Sequence, residues 1–222
     1  MSATKAEFGS GALFKAAGVV YGVMVCSGLV LLANVLVLAA PLLGPLALAG
    51  FALTGPSIVA ACYAFNRLLS GEDSSVFRDF LKSYRRDFGQ SLLVWLPYLA
   101  LLTVIAGNLI SLPGSNLEAV AARVGLVGLG IMVGTAAVHA MALVSRFSFR
   151  TTDIYRLSIY SMAANKRVSL GNAGILFVWC FVLLATTAWL VPFTAGPVLY
   201  LLCLNSKPLL MLVETKFTEA VD

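Results

Sequence analysis

The sequence predicts an all-α, polytopic membrane helix bundle, with about six transmembrane helices and one or two interfacial helices on the cytoplasmic side. Three observations carry that reading. Of 222 residues, 60% are hydrophobic and 11% charged, whereas a soluble chain carries roughly 25% charged residues. The apolar residues gather in runs close to the ~20 residues that cross a bilayer core. The basic residues fall almost entirely in alternate connections between those runs, which is the bias of cytoplasmic loops. The whole chain, 1–222, reads as a single integral membrane domain. The pI near 9.2 follows from this charge placement and calls for no nucleic-acid partner.

Residues 1–15 form a short polar arm with Lys5 and Lys15. The run 16–40 is about twice the length of a signal-peptide core and reads as a retained span. Pro41 to Gly44 marks the outer turn, because proline breaks helices. The second span is placed at 45–69 and kinked at Gly55-Pro56; in the rival reading residues 45–54 form a half-buried loop. The third span is 91–110, followed by a turn-forming Ser111-Leu112-Pro113-Gly114 stretch. The fourth, 120–145, contains Gly125, Gly128, Gly130 and Gly134. Small residues let helices approach closely in lipid, which places this span at the centre. The fifth span is 170–191 and the sixth 193–213.

Two polar segments interrupt this pattern. In 74–88, Val76, Phe77, Phe80, Leu81, Tyr84 and Phe88 recur at helical spacing. Arg78, Asp79, Lys82, Arg85, Arg86 and Asp87 fill the other face. Such a helix lies at a membrane surface with its apolar face down, and Ser74 or Ser75 is placed to cap it. The segment 146–167 forms a weaker counterpart, with Thr151, Thr152 or Asp153 as caps. Phe77-Arg78 matches Tyr155-Arg156, and Trp95 matches Trp179, which suggests an internal repeat interrupted by gaps.

Residues 55–92 also carry a resemblance. Gly55-Pro56, Gly71-Glu72-Asp73, Val76-Phe77-Arg78-Asp79-Phe80, Phe88 and Gln90 are similar to the signature of the YesL-like family of bacterial integral membrane proteins, a domain of unknown function. The resemblance implies a bacterial inner-membrane protein. It also implies an association with sugar-importing ABC transporters, beside which members are often encoded. It supplies no catalytic residue or ligand.

Orientation follows from Lys and Arg. With six spans and both termini cytoplasmic, the inner segments hold fourteen of the fifteen basic residues, and Arg123 is the exception. Polar residues in spans are the candidate functional groups, because they are costly in lipid. Asn66, Arg67, His139, Arg146, Asn205 and Lys207 fall in the cytoplasmic third of their helices and are candidates to line a vestibule. The competing reading is that Arg67, Arg146 and Lys207 snorkel to the headgroups. Asn34 and Asn108 are read as interhelical hydrogen-bond partners.

No enzyme motif, metal site or cofactor site is read. A single His excludes a zinc-binding His pair. Cys26, Cys62, Cys180 and Cys203 lie in apolar runs without ligand spacing and read as small hydrophobes.

Two functional readings stand. The first is an accessory or regulatory subunit that docks a transporter permease or its ATPase through Phe77, Arg78, Asp79, Phe80, Lys82, Tyr84, Arg85 and Arg86. The alternative is a small solute transporter or channel, although no acidic residue lies in a span to couple protons or sodium. The predicted topology has a direct test. Ser115→Cys reacts with an impermeant thiol reagent on intact cells and Ser83→Cys does not; the reverse pattern overturns the orientation.

Overall fold

The computed structural model describes residues 12–38, 47–71, 75–114, 116–186 and 191–217, and these contain helices and no strands. In chain order they are α1 (Ala12–Ala33), α2 (Val35–Leu38), α3 (Ala47–Ala52), α4 (Thr54–Leu69) and α5 (Val76–Arg86). There follow α6 (Phe88–Ser111), α7 (Leu117–Arg146), α8 (Thr151–Ala164), α9 (Lys166–Ala185) and α10 (Val191–Phe217). Among the described residues, five helices are long and apolar enough to cross a membrane: α1, α6, α7, α9 and α10. They correspond to the expected spans 16–40, 91–110, 120–145, 170–191 and 193–213.

The remaining expected span, 45–69, is divided into α3 and α4 at Leu53, two residues before the predicted Gly55-Pro56 kink. The reason is steric. Pro56 cannot donate to the carbonyl of Ala52, and its ring clashes with that oxygen in a continuous helix. The break therefore falls before the proline, which sits in the first turn of α4. The 16 residues of α4 reach about 24 Å, short of a ~30 Å hydrocarbon core. The carbonyl of Phe51, freed by the break, accepts from Thr54 Oγ1 at 2.6 Å and from Trp95 Nε1 at 2.9 Å. Gly55 makes room for that indole, since a Cβ there would lie 2.5 Å from Trp95 Cβ. The first span is interrupted and resumes as α2, with residues 39–40 outside the described residues. Its helix turns at Asn34, whose amide donates to Val30 O and to Ser57 Oγ, both at 2.7 Å. Pro41 to Gly44 lies outside the described residues.

The three helices α4, α7 and α10 form the inner layer, each packed against the other two. The other long helices fill the outer grooves: α1 against α4 and α10, α6 against α4 and α7, and α9 against α7 and α10. α7 is central, as its small residues suggest, and two of its four glycines, Gly130 and Gly134, lie against Ile105 of α6 and Leu176 of α9. Its buried stretch is Thr135 to Ser145, with Ala136, Ala137, Ala140 and Ala142 at the contacts. Gly125 and Gly128 face open space. Alanine provides the close approach here, without the backbone entropy that glycine loses.

α5 and α8 cap the end of the bundle at which α4 and α7 finish. Ser75 precedes α5 in extended conformation, but its side chain makes no cap bond; Ser74 lies outside the described residues. Thr151 to Asp153 are inside α8, and Arg150 occupies the cap position without a side-chain bond. One residue joins each end helix to the span that follows it: Asp87 between α5 and α6, Asn165 between α8 and α9.

A constant spacing of 78 residues, without gaps, carries Val76, Phe77-Arg78, Ser83, Asp87 and Ser91 onto Ile154, Tyr155-Arg156, Ser161, Asn165 and Ser169. The local bonds repeat as well. Ser91 Oγ donates to Asp87 O at 2.7 Å, and Ser169 Oγ to Asn165 O at 3.1 Å. Trp95 falls opposite Ala173 in this register, not Trp179, whose Nε1 instead donates to Thr194 at 3.0 Å.

The Gly55–Trp95 contact has a measurable consequence. Gly55→Val overpacks the α3–α4 break and destabilises the protein by ~1–3 kcal/mol, read as a lowered midpoint of thermal unfolding in detergent. Gly89→Ala, at a position with open space around it, leaves the midpoint unchanged or higher.

Candidate functional site

A cluster of charged side chains lies where α5 packs on the last turns of α4. The inner face of α5 consists of Val76, Asp79, Phe80 and Ser83, all buried. Asp79 is only 4% exposed. A carboxylate so far from water needs a partner, and Arg67 in the last turn of α4 supplies one, its Nη1 lying 3.0 Å from Asp79 Oδ1. The fork of Arg86 grips both oxygens of Asp87 at 2.8 Å, and Ser83 Oγ donates to Asp87 Oδ2 at 2.9 Å. The Arg86 guanidinium also lies 5.0 Å from the ring centre of Tyr63. The hydrogen bond to Asp87 raises the pKa of Arg86 above its ordinary value. Phe80, Tyr84 and Phe88 make a continuous aromatic row, with centroids 6.0 and 5.6 Å apart. Lys207 of α10 points at the end of α4, its Nζ 3.5 Å from Leu69 O. Carbonyls at that position have no partner within the helix.

The structure divides the eight residues assigned to docking. Asp79 and Phe80 face inward and are buried, Tyr84 is half-buried, and Arg86 is engaged by Asp87 and Tyr63. Phe77, Arg78, Lys82 and Arg85 face outward, joined by Leu81. The predicted apolar face is thus split. Val76 and Phe80 enter a core cluster with Phe65 and Cys203, while Phe77 is 53% exposed. Placing Asp79 among the exposed charges was an error of helical phase, since its position three residues after Val76 aligns it with Val76 and Phe80.

The six residues assigned to a vestibule make separate contacts. Arg67 pairs with Asp79, and Arg146 with Glu214 at 2.8 Å. His139 is fully buried, its Nδ1 3.2 Å from Ser161 Oγ. Asn205 Nδ2 donates to Asn172 Oδ1 and to Val168 O, both at 2.8 Å, and it lies against Gly171, where a Cβ would stand 2.6 Å from Nδ2. Lys207 meets Leu69 O, and Asn66 is half-buried on α4. Where α4, α7 and α10 meet, the void is about 10 Å³, bounded by residues such as Cys62, Val138, Ala142 and Cys203; none of the six lines it. Of the two asparagines read as interhelical partners, Asn34 bonds Ser57, while Asn108 donates to Val104 O of its own helix.

Several polar groups carry weight that spacing alone does not reveal. Tyr98 OH and Ser158 Oγ are 2.9 Å apart, Asn172 Nδ2 donates to Ser206 Oγ at 3.0 Å, and Gln90 Nε2 donates to Phe149 O at 2.6 Å. Cys26, Cys62 and Cys203, from three helices, share one core cluster. The 78-residue register was the available signal for Ser83, Ser91, Ser161 and Ser169.

Residues 19–109 match the family model described as "Protein of unknown function, DUF624". The match runs from α1 to near the end of α6, so it takes in α5 and both members of the Arg67–Asp79 pair. Over that stretch the chain resembles a domain of unknown function. No curated protein and no solved structure matches the chain.

The Arg67–Asp79 pair is testable by itself. Asp79→Ala leaves a guanidinium without its carboxylate beside the core and costs about 3 kcal/mol, the low end for a broken buried pair because Arg67 is partly exposed. Arg67→Met with Asp79→Leu restores most of that loss. A double-mutant cycle in chemical unfolding reads the coupling.

Proposed function

We propose that this protein is an accessory subunit of the bacterial inner membrane that binds a transporter, through the outer face of α5, on the cytoplasmic side. The observation that supports this reading is the contrast between the two end helices. α5 and α8 are equivalent in register and both bury an inner face, but their outer faces differ. Where α5 presents Lys82 and Arg85, α8 presents Tyr160 and Ala163. Anchoring needs no more than the shared pattern, so the added cations on α5 serve something else. They form a stripe with Arg78 at i, i+4 and i+7, beside Phe77 and Leu81. Arginine and aromatic side chains are enriched at interfaces, and exposed cations steer encounter with an acidic partner.

The partner class comes from the resemblance to YesL-like proteins, which favours a sugar-importing ABC transporter, either its permease or its ATPase. In this reading the protein moves no solute and performs no chemistry of its own. The closed packing among α4, α7 and α10 favours it over the small-transporter alternative.

Two experiments test the proposal. Since Ser83 is fully buried, Lys82→Cys and Glu118→Cys are the informative pair for topology. Glu118→Cys labels from outside intact cells and Lys82→Cys only in inside-out vesicles; the opposite result overturns the cytoplasmic placement of α5. Lys82→Glu with Arg85→Glu then reduces recovery of the transporter subunit in mild-detergent purification by about tenfold or more, in keeping with the cost of reversing interface charges. Undiminished recovery of the subunit, or saturable sugar flux by the purified protein alone in liposomes, overturns the accessory reading.

A further inference from the structure

α8 carries a feature that α5 lacks. An open cleft of about 640 Å³ is lined by Phe149, Asp153, Arg156, Leu157 and Tyr160. The last four stand at i, i+3, i+4 and i+7, on one helix face. Ile154, Ser158 and Ser161 bury the other side of α8 and hold the cleft in place. Gln90 Nε2 adds a bond to Phe149 O at 2.6 Å, fixing the cleft's rim to α6.

Neighbouring side chains set the depth of the cleft. Lys166 and Arg167, in the first turn of α9, are exposed; one turn on, Leu170 is 77% exposed, and Ile159 of α8 is 65% exposed. Cations giving way to exposed aliphatic side chains within one turn mark the boundary between headgroups and hydrocarbon. The cleft therefore opens at headgroup level.

Its chemistry is that of a zwitterion. Among the described residues, no side-chain hydrogen bond or ion pair engages Asp153 or Arg156, and both are exposed. The guanidinium of Arg156 is a planar fork suited to two phosphate oxygens. Asp153, one turn away, offers a carboxylate to an ammonium. Leu157 and Phe149 supply an apolar wall. The equivalent positions on α5 are Ser75, Arg78, buried Asp79 and Lys82, a set with a cation in excess and no free carboxylate. α8 is balanced, and a balanced site discriminates against a purely anionic headgroup. We propose that the α8 cleft binds the phosphoethanolamine headgroup of an aminophospholipid, with Arg156 on the phosphodiester and Asp153 on the primary ammonium.

The test uses the purified full-length chain in detergent with equimolar phosphatidylethanolamine, phosphatidylglycerol and phosphatidylcholine, and counts retained lipid by native mass spectrometry. The wild type retains phosphatidylethanolamine about tenfold over either competitor, the discrimination expected of one charge-assisted hydrogen bond. Asp153→Asn removes that preference, and Arg156→Gln lowers retention of phosphatidylethanolamine by a similar factor. Both cleft residues are exposed, so the variants keep the wild-type helical circular dichroism. Soluble phosphoethanolamine displaces the lipid and inorganic phosphate does not. Equal or stronger retention of phosphatidylglycerol by the wild type overturns the proposal. So does an unchanged preference in Asp153→Asn, or equal displacement by inorganic phosphate. None of these results depends on whether α5 binds a transporter.

Discussion

A carboxylate with almost no access to water fixes how this protein presents its basic end. Asp79 is buried against α4 and holds Arg67 at 3.0 Å, and the cost of desolvating it is offset only while that geometry lasts. The pair sets the rotation of α5. With Asp79 turned inward, Val76 and Phe80 meet the core, and Arg78, Lys82 and Arg85 have no direction left but outward. Asp87, which joins α5 to α6, is held by Ser83 and Arg86, so the helix is fastened at its middle and its end. The outer face of α5 is therefore held in a defined orientation on the bundle.

The bundle beneath obeys the constraint that lipid gives polar groups no alternative partner. Several of its buried side-chain amides and hydroxyls pair between helices: Asn34 Nδ2 with Ser57, Tyr98 with Ser158, Asn172 with Ser206. Such bonds are modest in strength in membranes, but each fixes the register of two helices. The alanine-rich half of α7 lets three inner helices close together around a void of about 10 Å³.

The 78-residue register gives α5 and α8 a common plan and then shows where they part. Both bury an aliphatic residue and a serine at equivalent positions, and both end in a single linking residue whose carbonyl is taken by a serine four residues on. Their outer faces have gone different ways, one strongly basic and the other charge-balanced around a cleft. An end helix at headgroup depth meets lipid by default, so the departure from balance on α5 and the cleft on α8 are the informative features.

Helix class, the long apolar helices and the amphipathic character of 74–88 were all legible in the sequence. They depend on composition and on the 3.6-residue period, which are local properties. The division of residues 45–69 was half legible: Pro56 announced a break, but steric conflict with the carbonyl four residues earlier decided that it falls at Leu53. The inward turn of Asp79 was half legible: its phase aligns it with Val76 and Phe80, but polarity alone does not show that Arg67, twelve residues earlier on another helix, makes burial of a carboxylate tolerable. The scatter of Arg67, His139, Arg146, Asn205 and Lys207 into separate pairs was likewise a tertiary result. Depth along a helix can be counted from the sequence; the azimuth each helix turns toward its neighbours is set by packing, and only the folded bundle decided it.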